Sequence, residues 1–157
     1  MPTVSLFWKW QLRADDVIGT LATEAGRQGI ITYMMTPDKD YGQLVSDKVF
    51  MYRPKHTGGF EVMGVDEVKA KFDIQSPSQV IDMLGLMGDS SDNIPGCPGV
   101  GEKTAQKLIA EFGSIENLLE HTDQLKGALK TKVETNREMI TFSKFLATIK
   151  IECAHPT

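Results

Sequence analysis

The stretch GDSSDNIPGCPGVGEKTAQKL, residues 88–108, constrains the fold of this 157-residue chain most strongly. Its glycines and prolines exclude a continuous helix or strand before residue 102. From Glu102 onward, the apolar residues recur at helical spacing, and upstream Ser76-Pro77 supplies an N-cap and first-turn proline for a helix ending near Met87. The stretch is therefore predicted to connect two helices through a tight glycine turn.

The turn has the chemistry of a phosphate-binding element. Gly99-Val100-Gly101 allows close backbone approach, and the unpaired N–H groups of the new helix attract anions. Lys103, Thr104 and Lys107 follow on the first turns of that helix and would hold DNA phosphates without reading sequence. A plain helix–turn–helix corner with a glycine N-cap is the alternative interpretation for a lone Gly-x-Gly.

The first half of the chain alternates helices and strands. A helix is predicted from Ala14 and a buried strand at 30–36, followed by strands at 49–52 and 60–63 and a helix at 65–72. Further helices are predicted at 102–112, 115–120, 126–132 and 134–147. The fold class is thus α/β, with a small, mostly parallel sheet flanked by helices and a helical C-terminal subdomain. We divide the chain into residues 1–88 and 89–157.

Six aspartates fall in three close pairs: Asp15 and Asp16 opening a helix, Asp38 and Asp40 after a strand, and Asp89 and Asp92 after a helix. Open α/β sheets bind ligands at the carboxyl ends of their strands, which favours a shared site. Carboxylates without His or Cys select hard ions such as Mg²⁺ or Mn²⁺. For any single pair, helix capping or turn formation is the simpler explanation.

The acidic residues are unevenly distributed along the chain. Residues 1–101 carry nine Lys/Arg and thirteen Asp/Glu, whereas residues 102–157 carry eight of each, so the first part accounts for the whole net charge of −4. Two divalent ions bound there would neutralise the chain, so its acidity does not exclude a nucleic-acid partner. The chain has only Cys97 and Cys153, no metal-type cysteine pair, no signal-peptide pattern and no membrane-length apolar run, so we expect a cytoplasmic protein.

On these residues the chain resembles the 5′–3′ exonuclease domain of bacterial DNA polymerase I and the flap-endonuclease (PIN-like) family. ADDVIGTLA, TPDKDYGQLVSD and GDSSDNIPGCPGVGEKTA are similar in order and spacing to motifs of that family. The resemblance implies that all six aspartates bind metal and take part in catalysis. It further implies that residues 98–107 form a helix–three-turn–helix, which grips duplex DNA and often a K⁺ ion near Pro98–Gly101. The implied substrate is DNA with a 5′ end or flap.

The sequence also departs from that family. The family's first strand with its metal-binding Asp and its basic helical arch are not found, and Arg13 stands where the family has a Glu. We therefore expect a truncated form with impaired activity. An exposed sheet flank is expected, covered by residues 3–10 as a strand or by a second copy in a homodimer.

The same motifs are compatible with two other functions. A haloacid-dehalogenase-type phosphatase also combines a D-x-D after a strand with a later G-D-S-x-x-D, but there the second motif follows a strand. A non-catalytic duplex-DNA-binding module would keep the glycine turn and lack the chemistry.

Overall fold

A computed structural model describes residues 13–152 of the chain. The strand predicted for residues 3–10 lies outside the described residues. The described part contains seven α-helices, three strands and three short 3-10 turns. In chain order these are α1 Ala14–Arg27, β1 Thr32–Met35, a 3-10 turn Lys39–Leu44, β2 Val49–Pro54, β3 Phe60–Met63, α2 Val65–Phe72, a 3-10 turn Pro77–Gln79, α3 Val80–Met87, α4 Glu102–Phe112, α5 Ile115–Glu120, a 3-10 turn Thr122–Gln124, α6 Gly127–Thr135 and α7 Arg137–Ala147.

The three strands form one sheet in the order β1-β2-β3. β1 and β2 run parallel, with Thr32 opposite Val49, and the connection between them contains the 3-10 turn Lys39–Leu44. β2 and β3 run antiparallel because Gly58 and Gly59, both at positive φ, reverse the chain between them. The predicted α/β class is confirmed, and one of the two strand pairings is antiparallel.

Helix α1 packs against the inner face of the sheet. A side chain at Gly26 would place its Cβ 2.9 Å from Cγ2 of Val49, so only glycine allows this approach. The inner face buries Met34, Val49 and Met51. This packing fixes the start of α1, with its two aspartates, near the carboxyl end of β1.

Helix α3 lies at the centre of the helical part and contacts α4 and α7. It buries Val80, Met83, Leu84 and Leu86, as expected for a helix that is apolar on most sides. Gly85 permits close approach of α5 and α7, since a Cβ there would lie 2.6 Å from Cδ1 of Ile115. The side chain of Ser76 accepts a hydrogen bond from Ser78, so the predicted cap before α3 is present.

The connection between α3 and α4 is a compact loop built on glycine. Asp89 and Ile94 form an antiparallel bridge with both N–O distances at 2.8 Å. The backbones of Gly88 and Gly96 are in close contact. A Cβ added at Gly96 would lie only 2.4 Å from the backbone N of Gly88. A helix, not a strand, precedes this loop, which is the arrangement that separates the chain from the haloacid-dehalogenase alternative. The proposed division after residue 88 stays a prediction.

Within residues 13–152, no helix has the length and apolar character needed to span a membrane.

Candidate metal centre

Asp38 and Asp40 are held in place by the turn that follows β1. The side chain of Asp38 caps the 3-10 turn Lys39–Leu44, accepting a hydrogen bond from the backbone N of Asp40 at 3.0 Å. Thr36 Oγ1 accepts from the backbone N of Asp38 at 3.1 Å. Both carboxylates therefore lie at the carboxyl end of the parallel strand, where the sequence predicted a ligand site.

Asp92 completes a group of three carboxylates. One oxygen from each of Asp38, Asp40 and Asp92 lies within 4.8 Å of the others, although Asp92 comes from the loop after α3. Asp38 is half-buried, Asp40 is buried and Asp92 is exposed. The buried Oδ1 of Asp40 has no hydrogen-bond partner within the described residues. Because a buried carboxylate oxygen is costly without a partner, these residues fit a hard divalent cation.

The pKa values of these carboxyl groups also indicate a site for a divalent cation. Burial, the hydrogen bond with Asp92 and the charge of Asp38 raise the pKa of Asp40 to about 8. Burial also raises the pKa of Asp38, assisted by the charges of Asp92, Asp15 and Asp89 and opposed by the hydrogen bond from Asp40. In the absence of a cation the cluster retains a proton, and a bound divalent ion would take that proton's place.

Asp89 lies in the same cleft but is already paired with a cation. Its Oδ2 is 2.8 Å from Nζ of Lys39, and its side chain is 5% exposed. Burial works to raise the pKa of Asp89, but the hydrogen bonds from Lys39 and Ser91 outweigh it and lower the pKa. Lys39, which lies between Asp38 and Asp40 in the sequence, was not among the predicted site residues.

The two aspartates of α1 have different surroundings. Asp15 accepts a 2.6 Å hydrogen bond from the hydroxyl of Tyr41 and forms a 3.1 Å ion pair with Arg13. Asp16 is buried and accepts from the backbone N of Lys150 at 2.9 Å. Neighbouring helix residues point about 100° apart, so the pair divides between the cleft and the C-terminal segment. The structure thus brings Asp15 near Asp38 and directs Asp16 to Lys150.

Asp38, Asp89 and Asp92 line a cleft of about 310 Å³. The same cleft is lined by Arg53, from the carboxyl end of β2, and by Lys71, from α2. Neither residue was among the predicted site residues. The position of Arg53 at the carboxyl end of a strand parallel to β1 was the one sequence signal available for it.

The predicted phosphate-binding turn lies on the surface at the start of α4. Gly99, Gly101, Lys103 and Lys107 are exposed, and Thr104 is half-buried. Gly99 has φ +80°, and a Cβ there would lie 2.9 Å from Nζ of Lys132. Val100 is buried and its backbone N donates to the carbonyl of Cys97 at 3.1 Å, so it anchors the turn from inside. No side chain caps α4, which leaves its first N–H groups facing outward.

Two family models match the chain in succession. Residues 4–73 match the N-terminal resolvase-like domain of 5′–3′ exonucleases, and residues 75–157 match the C-terminal SAM fold of 5′–3′ exonucleases. The chain belongs to the 5′–3′ exonuclease family. This membership confirms the resemblance drawn from the aspartate and glycine motifs, and the activity of the family is 5′–3′ exonuclease activity.

Among curated proteins of this family, DNA polymerase I of Bacillus subtilis is 48% identical over 141 residues. The thermostable DNA polymerase I of Thermus thermophilus is 40% identical over 136 residues. The two matches cover 88% and 87% of this chain, but the chain spans only 16% of either polymerase.

Solved structures share the fold. The 5′-exonuclease of bacteriophage T5 with bound zinc superposes with a TM-score of 0.77 at 22% identity, covering 87% of this chain and 49% of that one. A flap endonuclease of the same phage, in a complex with DNA and metal ions, gives a TM-score of 0.74 at 23% identity, covering 85% and 48%.

Proposed function

We propose that this chain binds DNA carrying a 5′ end or flap and, with a divalent cation, hydrolyses its phosphodiester bonds from the 5′ side. The observation that carries the proposal is the group of Asp38, Asp40 and Asp92, in which a buried oxygen of Asp40 has no partner among the described residues. Membership in the 5′–3′ exonuclease family supports the reaction type. The related phage structures that contain zinc, or DNA and metal ions, support the cofactor and the partner.

Asp38, Asp40 and Asp92 would hold Mg²⁺ or Mn²⁺, because both ions prefer carboxylate oxygens. A bound ion of this kind supplies an activated water and neutralises charge on the phosphate during in-line displacement. The protein's own contribution is positional. Asp38 fixes the turn that carries Asp40, and the loop bridge between Asp89 and Ile94 brings Asp92 to the other two.

The glycine turn would hold the duplex. Lys103 and Lys107 are one helical turn apart on the exposed side of α4, beside outward N–H groups that favour phosphate. Thr104 and the backbone of Gly99 to Gly101 are proposed to assist, and carbonyls near Pro98–Gly101 to hold K⁺. Such contacts give binding that is insensitive to sequence and steeply dependent on salt.

The role of the turn can be measured by fluorescence anisotropy with duplex DNA at several KCl concentrations. Two to four phosphate contacts give a log–log slope of roughly −2 to −4. Replacing Lys103 and Lys107 with Ala should bring the slope about two units closer to zero, whereas Lys126→Ala serves as a control elsewhere on the helical part. An unchanged slope in the double variant would remove the turn as the binding element.

A non-catalytic DNA-binding module is the second candidate. It is favoured by the ion pair of Arg13 with Asp15 and by the hydrogen bond that Asp16 accepts from the backbone N of Lys150, which engage two of the six expected metal ligands. Cleavage of a labelled 5′-flap substrate with Mn²⁺, compared with binding of the same DNA in chelator, separates the two functions. Binding without cleavage, unchanged in Asp38→Ala, identifies the module.

The outer face of the sheet is apolar and exposed. Tyr33 stacks on Phe50 with ring centroids 5.6 Å apart, Tyr52 stacks on Phe60 at 4.9 Å, and Met35 is 74% exposed. Exposed apolar surface of this kind marks an interaction site. We propose that the edge of the sheet beside this face is covered either by residues 3–10 as a strand or by a second copy of the chain, and that the protein acts in the cytoplasm. Light scattering decides between the two, since a monomer at all concentrations excludes the second copy.

A further inference from the structure

The cleft at the metal centre gathers side chains of both charges. It is lined by Asp38, Asp89 and Asp92 and also by Lys39, Arg53 and Lys71, with Lys39 paired to Asp89. These residues come from four segments of the chain, so their convergence is a product of the fold and not of one charged run. An acidic cluster alone explains a bound cation, but it does not explain why Arg53 and Lys71 line the same cleft.

Arg53 is mostly buried and its guanidinium is incompletely hydrogen-bonded. Its side chain is 13% exposed, and its Nε lies 3.4 Å from Oε1 of Glu61, its antiparallel neighbour on β3. That approach is too poorly aligned to be a hydrogen bond, so Nε has no hydrogen-bond partner among the described residues. Nη1 makes only a weak contact with Sδ of Met63 at 3.8 Å. A guanidinium offers five N–H donors in a planar fork that matches phosphate oxygens, so Arg53, which lines the cleft, keeps donors for an anion.

Lys71 brings a second cation close to Arg53 without a carboxylate of its own. Within residues 13–152 it forms no ion pair, whereas Lys39 is paired with Asp89 and Arg53 with Glu61. Burial, and then the charge of Arg53, lower the pKa of Lys71. Two like charges held this close repel each other unless an anion joins them.

We propose that Arg53 and Lys71, beside Lys39, bind a backbone phosphate of the DNA strand in the cleft that Asp38 and Asp92 also line. The inference rests on the proposed function and adds to it a substrate-positioning site that is separate from the glycine turn. A phosphate bound by Arg53 and Lys71 would hold the strand next to the proposed metal centre.

The charges of the cleft agree with this assignment. Asp38, Asp40, Asp89 and Asp92 contribute four negative charges, against three positive charges from Lys39, Arg53 and Lys71. With one divalent ion the cleft carries a single net positive charge, which matches the single negative charge of a phosphodiester. Without the ion the cleft carries no net positive charge and should take up DNA less readily.

The test uses the whole chain with a fluorescent 5′-flap DNA, measuring affinity by anisotropy over a range of KCl concentrations. Ca²⁺ is supplied because it takes the same oxygen ligands as Mg²⁺. Lys71→Ala removes one phosphate contact, so the log–log slope should fall in magnitude by about 0.7 to 0.9. Lys71→Arg should restore the slope, because it keeps the charge. Lys69→Ala is the matched control, since it lies on the same helix about 200° away.

Arg53 needs a second control because its ion pair with Glu61 also joins β2 to β3. Glu61→Gln removes the ion pair and keeps the guanidinium, so it should leave the slope unchanged. Arg53→Gln should reduce the magnitude of the log–log slope, as Lys71→Ala does. If Arg53→Gln and Glu61→Gln lower Tm equally and neither changes the slope, Arg53 is structural and the proposal is wrong.

The outcomes also separate this site from the proposed function. A wild-type chain that does not bind flap DNA at any salt concentration would overturn the proposed function itself. A wild-type chain whose slope depends on Lys103 and Lys107, but not on Lys71, would retain the DNA-binding function and overturn the site at Arg53 and Lys71.

Discussion

At the scale of single residues, Asp40 couples the stability of the protein to its metal. Its folded pKa of about 8 exceeds the usual carboxyl value of 3.8, so the metal-free folded chain keeps a proton that the unfolded chain releases. This group's contribution to stability is therefore fully present below pH 4 and is lost as pH rises toward 8. In chelator, Tm should fall over this window more in the wild-type chain than in Asp40→Asn.

Metal binding at Asp40 should show the opposite pH dependence. The ion must displace the retained proton, so the affinity for Mn²⁺ should rise by about tenfold per pH unit up to pH 8. Calorimetric titration at pH 6, 7 and 8 measures this rise. A Mn²⁺ affinity that does not change with pH would mean that Asp40 is already ionised in the metal-free chain. Burial would then not control the protonation of Asp40.

Asp16 should differ from the other five aspartates. Its bond to the backbone N of Lys150 joins α1 to the segment after α7, so Asp16→Ala should lower the free energy of unfolding by about 2 kcal/mol. Asp16→Asn keeps an acceptor oxygen and should cost less. Neither variant should change Mn²⁺ affinity, in contrast to Asp38→Ala. Loss of Mn²⁺ binding in Asp16→Asn with an unchanged Tm would show that it is a metal ligand.

These residues show what sequence reasoning reached and what it missed. Asp38 and Asp40 were identified because they follow a predicted strand. Asp92 was identified because it lies three residues after Asp89 in the loop that follows a helix. Asp15 and Asp16 were predicted to share the site, but adjacent helix positions diverge by about 100°, and the two side chains have different partners. Arg53 and Lys71 are 18 residues apart on a strand and a helix, and only tertiary packing brings both to the cleft. Their roles, like those of the six aspartates, stay predictions until variants are measured.

At the scale of elements, two ion pairs that share Lys144 join three helices. Nζ of Lys144 on α7 lies 2.6 Å from Oδ1 of Asp82 on α3 and 2.8 Å from Oε2 of Glu116 on α5. Lys144→Met leaves the buried carboxylate of Asp82 uncompensated and should lower the free energy of unfolding by about 3 kcal/mol. Glu116 is mostly exposed, so Glu116→Gln should cost less than about 1 kcal/mol. Denaturant titration that gave equal costs would contradict the assignment of Asp82 as the main partner.

The spacing of apolar residues predicted most helices and strands, because local sequence patterns determine where these elements form. The apolar spacing after Glu102 predicted the observed bounds of α4, and the strand predicted at 60–63 matches β3. The last two helices were predicted at 126–132 and 134–147, whereas they meet at Asn136, whose Nδ2 donates to the carbonyl of Lys132 at 2.8 Å. The antiparallel direction of β3 depends on a short connection, and the parallel direction of β2 depends on packing across the 3-10 turn.

At the scale of the whole molecule, the described residues bring together one group of carboxylates that could hold a divalent ion. Asp38, Asp40 and Asp92 converge, while Asp89 is paired with Lys39 and Asp15 with Arg13. Mn²⁺ titration should therefore give a stoichiometry of one. In nucleases that use two ions, both act on the same displacement, so weakening either site reduces the rate of the whole reaction. Flap cleavage by this chain should be at least about a hundredfold slower than by the nuclease part of a DNA polymerase I.

Arg13 provides the sharpest test of this expectation. Arg13→Glu removes the ion pair with Asp15 and adds a carboxylate two residues before it, beside the cleft. The new acid also lies at the N-terminus of α1, where the helix dipole favours negative charge. Arg13→Glu should therefore bind a second Mn²⁺ and cleave faster than the wild-type chain, whereas Arg13→Gln, which only frees Asp15, should gain less. Rapid flap cleavage by the wild-type chain, abolished in Asp38→Ala and unaffected by Arg13→Glu, would show that one ion is sufficient and that Arg13 does not limit the reaction.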